Sequence, residues 1–198
     1  MKNALDDLLA FVHKIVPAMP KEEVEAFFSK AKKKEFEKGE LFLREGTICK
    51  NLLFVHRGLF RYFLLCEGHD VTKDFSVDSQ NPFCTAYSSF MLQVPSEIWI
   101  EASEPCEVFI WEREDVLAFF EEHLHWLRFA KKMVERLFYR KERKEIDLLK
   151  CSAEERYRRF LNDFPRVSQR VPQYHIASYL GIAPESLSRI RSKFSKTP

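Results

Sequence analysis

Glycine is scarce in this sequence, and most of the glycines fall within one short window. The 198-residue chain has only five, of which Gly39, Gly46, Gly58 and Gly68 lie between strand-like segments. Because glycine adopts turn conformations that other residues avoid, this clustering predicts tight turns. The apolar residues around these turns alternate with a period of two, which is typical of β-strands. Residues 34–64 therefore predict several short strands of a β-sandwich or barrel.

Long hydrophobic runs are also absent. No segment approaches the ~20 consecutive apolar residues that a membrane-spanning helix needs. The first residues, MKNALDDLLAFVHK, carry Asp6 and Asp7 inside their apolar stretch, which argues against a signal peptide. We therefore expect a cytoplasmic protein without a membrane partner.

No C-x-x-C pair occurs, which excludes zinc-ribbon and thioredoxin-type motifs. The five cysteines are scattered along the chain: Cys49, Cys66, Cys84, Cys106 and Cys151. We expect reduced, mostly buried thiols rather than a disulfide framework.

Convergent metal ligands and catalytic groups are missing as well. His56, His69 and Asp70 are the candidate ligands near the predicted strands, and no His-x-His pair falls on one strand face. No nucleophile, base and orienting group occur together. We expect no metal site, no catalytic residues and no enzymatic activity.

The charge of the chain is small in sum but uneven in distribution. The net charge is +2. From Arg166 onward, six Lys or Arg residues stand against the single acid Glu185, a net charge of +5. The rest of the chain has 26 basic and 29 acidic residues, a net charge of −3. A basic carboxyl-terminal segment on an acidic body indicates nucleic-acid binding, although a basic tail that is merely solvated would look the same.

Residues 172–194, PQYHIASYLGIAPESLSRIRSKF, predict two short helices around a tight turn. Gly181 can take the left-handed conformation of that turn, and Pro184 suits the first turn of the second helix. The predicted buried faces consist of apolar residues at helical spacing: Ile176, Ala177, Leu180, Leu187, Ile190 and Phe194. This pattern is a helix–turn–helix.

The outer face of the second predicted helix carries groups that read bases in DNA. Glu185, Ser188, Arg189 and Ser192 fall on this face. Arginine can bond to guanine through two N–H groups, and glutamate can accept from the amino group of cytosine. The residues alone also allow a structural helical pair with solvated charges.

This stretch resembles the recognition unit of the Crp/Fnr family of transcription regulators. The resemblance implies base contacts from Glu185, Ser188 and Arg189, with Ser192 assisting. It implies phosphate contacts from Gln173, Tyr174, His175 and Arg191. Many family members have an Arg or Ser immediately before the family glutamate, where this sequence has Pro184. We therefore expect an operator that differs from the best-known one.

A second segment, KGELFLREGTICKNLLFVHRGLFRYFL, resembles the jelly-roll sensor domain of the same family. Together the two resemblances imply an α+β fold with a cupin-like β jelly roll in residues 1–121. A dimerisation helix is expected in residues 122–149, and a helix–turn–helix domain in residues 150–198. Because the sequence stops at Pro198, we expect no β-hairpin wing after the recognition helix.

The predicted long helix has an apolar stripe with coiled-coil spacing over part of its length. Its proposed seam residues are Leu127, Ala130, Val134, Leu137, Lys141 and Leu148. The stripe alone also allows burial against the helix's own domain. In the family this helix joins two subunits, which implies a homodimer on a pseudo-palindromic DNA site.

The segment that binds cyclic nucleotides in some relatives is altered here. Cys84 and Thr85 stand where those relatives have glycine and glutamate, and Ser96 stands for the arginine that pairs with the phosphate. An unpaired buried phosphate is costly, so we expect no tight binding of cyclic AMP. An iron–sulfur cluster is not expected either, because no cysteines precede Cys49. Haem is likewise not expected.

Aromatic and hydroxyl side chains in this segment predict either a pocket for a less charged ligand or a closed aromatic core. The candidate pocket residues are Phe83, Thr85, Tyr87, Ser88, Ser96 and Trp99.

Together the sequence predicts a DNA-binding transcription regulator that is not controlled by cyclic AMP. Its expected partners are double-stranded DNA, a second copy of the chain, RNA polymerase and an unidentified small-molecule effector. The alternative is a ligand-binding module whose helical tail contacts protein rather than DNA.

Overall fold

The computed structural model describes residues 3–194, within which the chain forms eight α-helices and eight β-strands. In chain order they are α1 (Ala4–Ile15), α2 (Lys21–Ser29), β1 (Lys32–Phe36), β2 (Leu41–Leu43), β3 (Asn51–Arg57), β4 (Leu59–Cys66), β5 (His69–Val77), β6 (Phe83–Cys84), α3 (Tyr87–Leu92), β7 (Trp99–Ala102), β8 (Cys106–Glu112), α4 (Arg113–Glu122), α5 (Leu124–Lys150), α6 (Ala153–Asp163), α7 (Gln173–Leu180) and α8 (Pro184–Phe194). Residues 195–198, on which the expected absence of a wing depends, lie outside the described residues.

The strands form two antiparallel four-stranded sheets that face each other. Their orders are β1-β8-β3-β6 and β2-β7-β4-β5. Inward-facing side chains of both sheets are completely buried, among them Leu53, Val55, Phe60, Ile100 and Val108. Two such sheets with alternating inward residues make a jelly roll, and the long helix and carboxyl-terminal helices complete the predicted α+β fold, which is confirmed.

Gly58 makes the sharp turn between β3 and β4 possible. Its φ is +108°, and a Cβ at this position would lie only 2.9 Å from the Cα of Cys106. Both the backbone conformation and this close approach require glycine. The clustered glycines of the sequence therefore mark real turns of the jelly roll.

Aromatic stacking fixes the amino-terminal helices and the first half of α5 on the outside of the roll. The Phe27 ring stacks on Trp111 at 4.6 Å between centroids, and it lies 4.2 Å from the ring of Trp126. The indole N–H of Trp111 also donates to the carbonyl of Phe27 at 2.7 Å. These contacts join α2, β8 and α5. Helix α2 ends at Ser29, and Lys32 already pairs with Ile110 in β1.

The helix–turn–helix unit, defined here as residues 153–194, shares its hydrophobic core with the jelly roll. One buried cluster contains residues of both parts. The roll contributes Leu59, Phe75 and Val77, α6 contributes Phe160, and the residue after α6 is Phe164. The predicted domain limits run through this shared core and stay a prediction. Among residues 3–194, no helix combines the length and apolar character needed to cross a membrane.

Candidate nucleic-acid interface and ligand cavity

The two helices of the predicted helix–turn–helix are joined by a tight turn at Gly181. Gly181 has a φ of +65°, and its N–H donates to the Ser178 carbonyl at 3.0 Å. The next N–H, from Ile182, reaches back to the Ala177 carbonyl at 3.1 Å. This pair of bonds closes the end of α7 in a left-handed cap that favours glycine. Pro184 then occupies the first position of α8, where its missing N–H leaves no bond unmade.

The recognition helix α8 has an apolar inner face and a polar outer face. Leu187 and Ile190 are buried in the shared core. Glu185, Ser188 and Arg189 are exposed on the opposite side. Ser192 lies on the same outer side, and its hydroxyl donates to the Ser188 carbonyl at 3.0 Å. The four residues predicted to contact bases therefore share one accessible face, and their contacts with DNA stay predictions.

The residues predicted to contact phosphate do not all lie at the surface. Tyr174 is 58% exposed, and Arg191 is exposed on α8. Gln173 is half-buried at the start of α7. His175 is only 9% exposed and faces Thr72 of β5, with its Nδ1 3.5 Å from the threonine hydroxyl.

The structure places His175 against the jelly roll, and its predicted phosphate contact stays a prediction. One turn of α7 packs against the jelly roll, and the imidazole points into that contact rather than toward the side where a DNA backbone would bind. Burial, followed by the nearby positive charge of Arg61, lowers the pKa of His175 to about 4. The ring is therefore neutral at pH 7, and in this arrangement it cannot serve as a cationic phosphate contact.

The long helix α5 buries one face and leaves an apolar stripe beside it. Trp126 and Phe129 are buried in the core of the jelly roll. Of the six predicted seam residues, Leu127, Val134, Lys141 and Leu148 are exposed, whereas Ala130 and Leu137 are half-buried. An exposed stripe of this kind suits pairing with a second copy of the helix. Self-association stays a prediction.

A cavity of about 610 Å³ lies between α5 and the jelly roll. Of the predicted pocket residues, Phe83, Thr85 and Tyr87 line it. α5 contributes more lining residues than any other single element, from Trp126 to Arg143. The sequence pattern missed that contribution because the same helix face was assigned to dimerisation.

The other three predicted pocket residues do not line this cavity. Ser88 is exposed on α3. Ser96 is buried, and its hydroxyl donates to the Ile98 carbonyl at 2.9 Å. The indole N–H of Trp99 donates to Glu45 at 3.0 Å, on a different side of the sheet. Alternation along β7 sends Trp99 away from the interior that Ile98 and its neighbours face.

The chain matches known proteins in structure but not in sequence. No protein-family model matches this sequence, and no curated protein matches it. Solved structures do match. FixK2 from Bradyrhizobium japonicum has a TM-score of 0.70 at 19% identity, covering 83% of this chain and 84% of its own. A putative transcriptional regulator of the Crp/Fnr family from Eubacterium rectale has a TM-score of 0.68 at 17% identity, covering 93% of this chain and 87% of its own.

The c-di-GMP responsive global regulator CLP from Xanthomonas campestris is similar over a comparable length. Its TM-score is 0.67 at 16% identity, with 89% of this chain and 92% of that chain covered. The chain has the Crp/Fnr fold.

Within this Crp/Fnr fold, α7 is held directly on β5. The hydroxyl oxygen of Ser178 accepts from the Thr72 N–H at 2.9 Å. Beneath it, the buried guanidinium of Arg61 pairs with Asp70 and, at 2.8 Å, with Glu101. Sequence reasoning missed Arg61, although a lone charge inside the apolar run LFRYFLL signals a residue that needs buried partners.

A second set of contacts joins the loop between α6 and α7 to the jelly roll. Arg170 pairs with Asp78 at 2.9 Å and also with Glu104. Gln80 donates to the carbonyl of Asp163 at the end of α6. These bonds and the shared core hold the helix–turn–helix unit on the roll as one packed assembly.

The positions that bind the cyclic nucleotide in some Crp/Fnr relatives carry no charge here. Cys84 is completely buried, and burial raises the pKa of its thiol. Ser96 has its hydroxyl committed to the backbone of Ile98. Among residues 3–194, no three His, Cys, Asp or Glu side chains converge as metal ligands. The expectations about cyclic AMP, haem and an iron–sulfur cluster stay predictions.

Proposed function

We propose that this chain is a sequence-specific DNA-binding transcription regulator of the Crp/Fnr type. The outer face of α8 carries this proposal. Glu185, Ser188 and Arg189 are accessible there, while Leu187 and Ile190 anchor the helix from below. A rigid helix that presents a carboxylate beside a guanidinium matches the major-groove edges of a G·C pair.

The electrostatics support the same function. The segment from Arg166 onward carries a net charge of +5 on a body of −3. Arg189 and Arg191 lie on the exposed surface of α8. Positive charge beside a base-reading face favours approach to the phosphate backbone and makes the affinity depend on salt. The proposed phosphate contacts are Gln173, Tyr174, His175 and Arg191, of which Tyr174 and Arg191 are the most accessible and His175 would have to turn outward.

The proposed active form is a homodimer joined along α5. Leu127 and Val134 on this helix are large apolar residues that the single chain leaves exposed. Burying them against a second copy would remove this apolar surface from water. A two-fold dimer would present two α8 helices to half-sites one helical turn apart, about 34–36 Å.

We further propose that the effector is not cyclic AMP. Ser96 stands where cyclic-nucleotide-binding relatives have an arginine, and it lies outside the cavity. Calorimetry with cyclic AMP is expected to show no binding in the micromolar range. RNA polymerase as a partner and a cytoplasmic location remain part of the proposal.

The experiment that tests the proposed function is selection of bound duplexes from a random DNA pool. It is carried out with the full chain at about 50 mM and about 200 mM salt. The expected result is an enriched inverted repeat whose binding weakens steeply at the higher salt. Its half-site would also reveal what Pro184 changes in recognition.

Salt-sensitive binding without any enriched sequence, in the presence and absence of cell extract, would contradict the proposal. The alternative, in which the helical tail contacts protein, would then be favoured. Enrichment only after addition of extract would support a regulator that needs an effector.

A further inference from the structure

The cavity between α5 and the jelly roll has two chemically different ends. One end is a continuous cluster of aromatic rings. Phe11, Phe83 and Phe129 lie within 6.4 Å of one another between ring centroids, and Trp126 lies 5.3 Å from Phe129. All four line the cavity. Phe11, Trp126 and Phe129 are at most 7% exposed, so the cavity meets this cluster at its edge. The edge favours an apolar group and offers little to a charged one.

The other end is basic. Five cationic side chains line it: Lys73, Arg136, Arg140, Lys141 and Arg143. Two of them are neutralised, because Arg140 pairs with Asp74 at 2.6 Å and Arg143 pairs with Asp163 at 3.5 Å.

The remaining cations, Lys73, Arg136 and Lys141, form no ion pair with any described residue. Burial and then the positive charge of Lys141 lower the pKa of Lys73, while Asp74 and Glu97 oppose the shift. The two ammonium groups therefore lie near each other, at the solvent-exposed mouth of the cavity. An anion at this point would relieve their repulsion.

The distance between the two ends sets the size of the ligand. Phe129 and Lys141 are twelve positions apart on α5, which is about 18 Å at ~1.5 Å per residue. An extended peptide residue spans ~3.5 Å over three bonds, which is ~1.2 Å per bond. An extended hydrocarbon chain of about 15 bonds therefore covers this distance. The cavity volume also lies within the usual ~300–1,000 Å³ range of small-molecule sites.

We propose that this cavity binds a linear carboxylic acid of about 12 to 16 carbon atoms. Its carboxylate pairs with Lys73, Lys141 and Arg136, and its chain extends along the cavity toward the aromatic rings of the opposite end. The binding itself does not depend on DNA. Its regulatory consequence rests on the proposed function, because Ala130, Val134, Leu137 and Lys141 line the cavity and also belong to the proposed dimer seam.

The test is calorimetric titration of the full chain with dodecanoic acid below its micelle concentration, with dodecan-1-ol as the uncharged probe. Emission of Trp126, the one tryptophan that lines the cavity among the described residues, gives a second readout. We expect saturable binding of one acid per chain and at least tenfold weaker binding of the alcohol.

A matched pair of variants separates the basic end from general charge effects. Lys73→Glu is expected to lower the affinity for dodecanoic acid at least tenfold, while the affinity for the alcohol stays unchanged. Lys73→Gln removes the charge without reversing it and should lower the affinity for the acid less. Lys38→Glu makes the same charge change on an exposed turn outside the cavity and should bind as the wild type does.

Three results would overturn the proposal: no saturable binding of the acid, equal affinity for acid and alcohol, or equal effects of Lys73→Glu and Lys38→Glu. Each of these can be scored whether or not the duplex selection succeeds. Failure of the ligand proposal and failure of the DNA-binding proposal are therefore distinguishable.

Discussion

The ammonium group of Lys144 lies 3.7 Å from the centroid of the Tyr179 ring. This cation–π contact joins α5 to α7 of the helix–turn–helix unit. The same ammonium donates to the carbonyl of Lys73 on β5 at 2.8 Å. A single side chain therefore connects the long helix, the recognition unit and the jelly roll, and any movement between these parts must break or remake its contacts.

The protonation of Lys144 is expected to make stability depend on pH. Burial lowers the pKa of Lys144 to about 8, with Arg140 and Lys73 lowering it further and Asp74 opposing the shift. Between pH ~8 and ~10.5 the unfolded chain holds a proton that the folded chain has released, so the free energy of unfolding rises with pH. The contribution is on the order of 3 kcal/mol. Urea unfolding of the wild type and of Lys144→Met across this window measures it as the difference between the two curves. Parallel curves would contradict the assignment.

Arg170 is expected to stabilise the contact between the helix–turn–helix unit and the roll. Arg170→Ala removes bonds to two partly buried carboxylates, Asp78 and Glu104, and should cost about 1–3 kcal/mol in urea unfolding. Hydrogen exchange of the α7 amides should also become faster. Arg166 is the matched control, because its exposed side chain reaches the same Asp78 at 3.6 Å. Arg166→Ala should change stability by no more than ~0.5 kcal/mol. Equal effects of the two changes would show that the Arg170 pairs do not hold the unit.

Replacing Arg189 and replacing Arg191 by alanine are expected to weaken DNA binding in different ways. Arg189→Ala should cost ~1–3 kcal/mol on the selected operator and relax the preference at one base step. Arg191→Ala should weaken binding to every sequence alike and reduce the salt slope by about 1. Binding titrations on the operator and on scrambled duplexes at several salt concentrations separate the two. If Arg189→Ala leaves the sequence preference unchanged, α8 does not read bases through this side chain.

The exposed stripe on α5 is expected to hold the dimer together. Val134 is 40% exposed on the proposed seam, and Val134→Glu should convert a dimer into a monomer without unfolding it. Ile146 is 45% exposed and lies twelve residues further along, a rotation of about 120° around the helix. Ile146→Glu should therefore remain dimeric. Light scattering with size-exclusion chromatography measures both, and circular dichroism confirms that both are folded. Dissociation by Ile146→Glu alone would place the interface on another face.

Local patterns were sufficient for the elements and faces that depend on neighbouring residues. The spacing of Leu187 and Ile190 predicted which side of α8 is buried, since helical periodicity repeats every few residues. Gly181 and Pro184 predicted the turn for the same reason. The short helix α3 was not predicted, because its six residues are too few to show a helical period.

The candidate ligand site was predicted only in part. Phe83, Thr85 and Tyr87 lie on the wall of the cavity, but Ser96 and Trp99 do not. Their placement depends on which way β7 and the preceding turn enter the sheet, and strand alternation alone does not decide which face is inside. The basic end, formed by α5 together with β5, needs two distant segments to meet.

The sequence by itself determined the helix–turn–helix and the outer face of α8, because each depends on residues within a few positions of one another. The class of the fold followed from the resemblance of two separate segments to one family. The tertiary structure alone decided that His175 faces the roll, since its partner Thr72 lies 103 positions away. It also decided that one face of α5 lines a cavity with an aromatic and a basic end. A single helical stripe is compatible with a dimer seam, a core contact or a ligand wall, and only the packing of the neighbouring elements distinguishes among them.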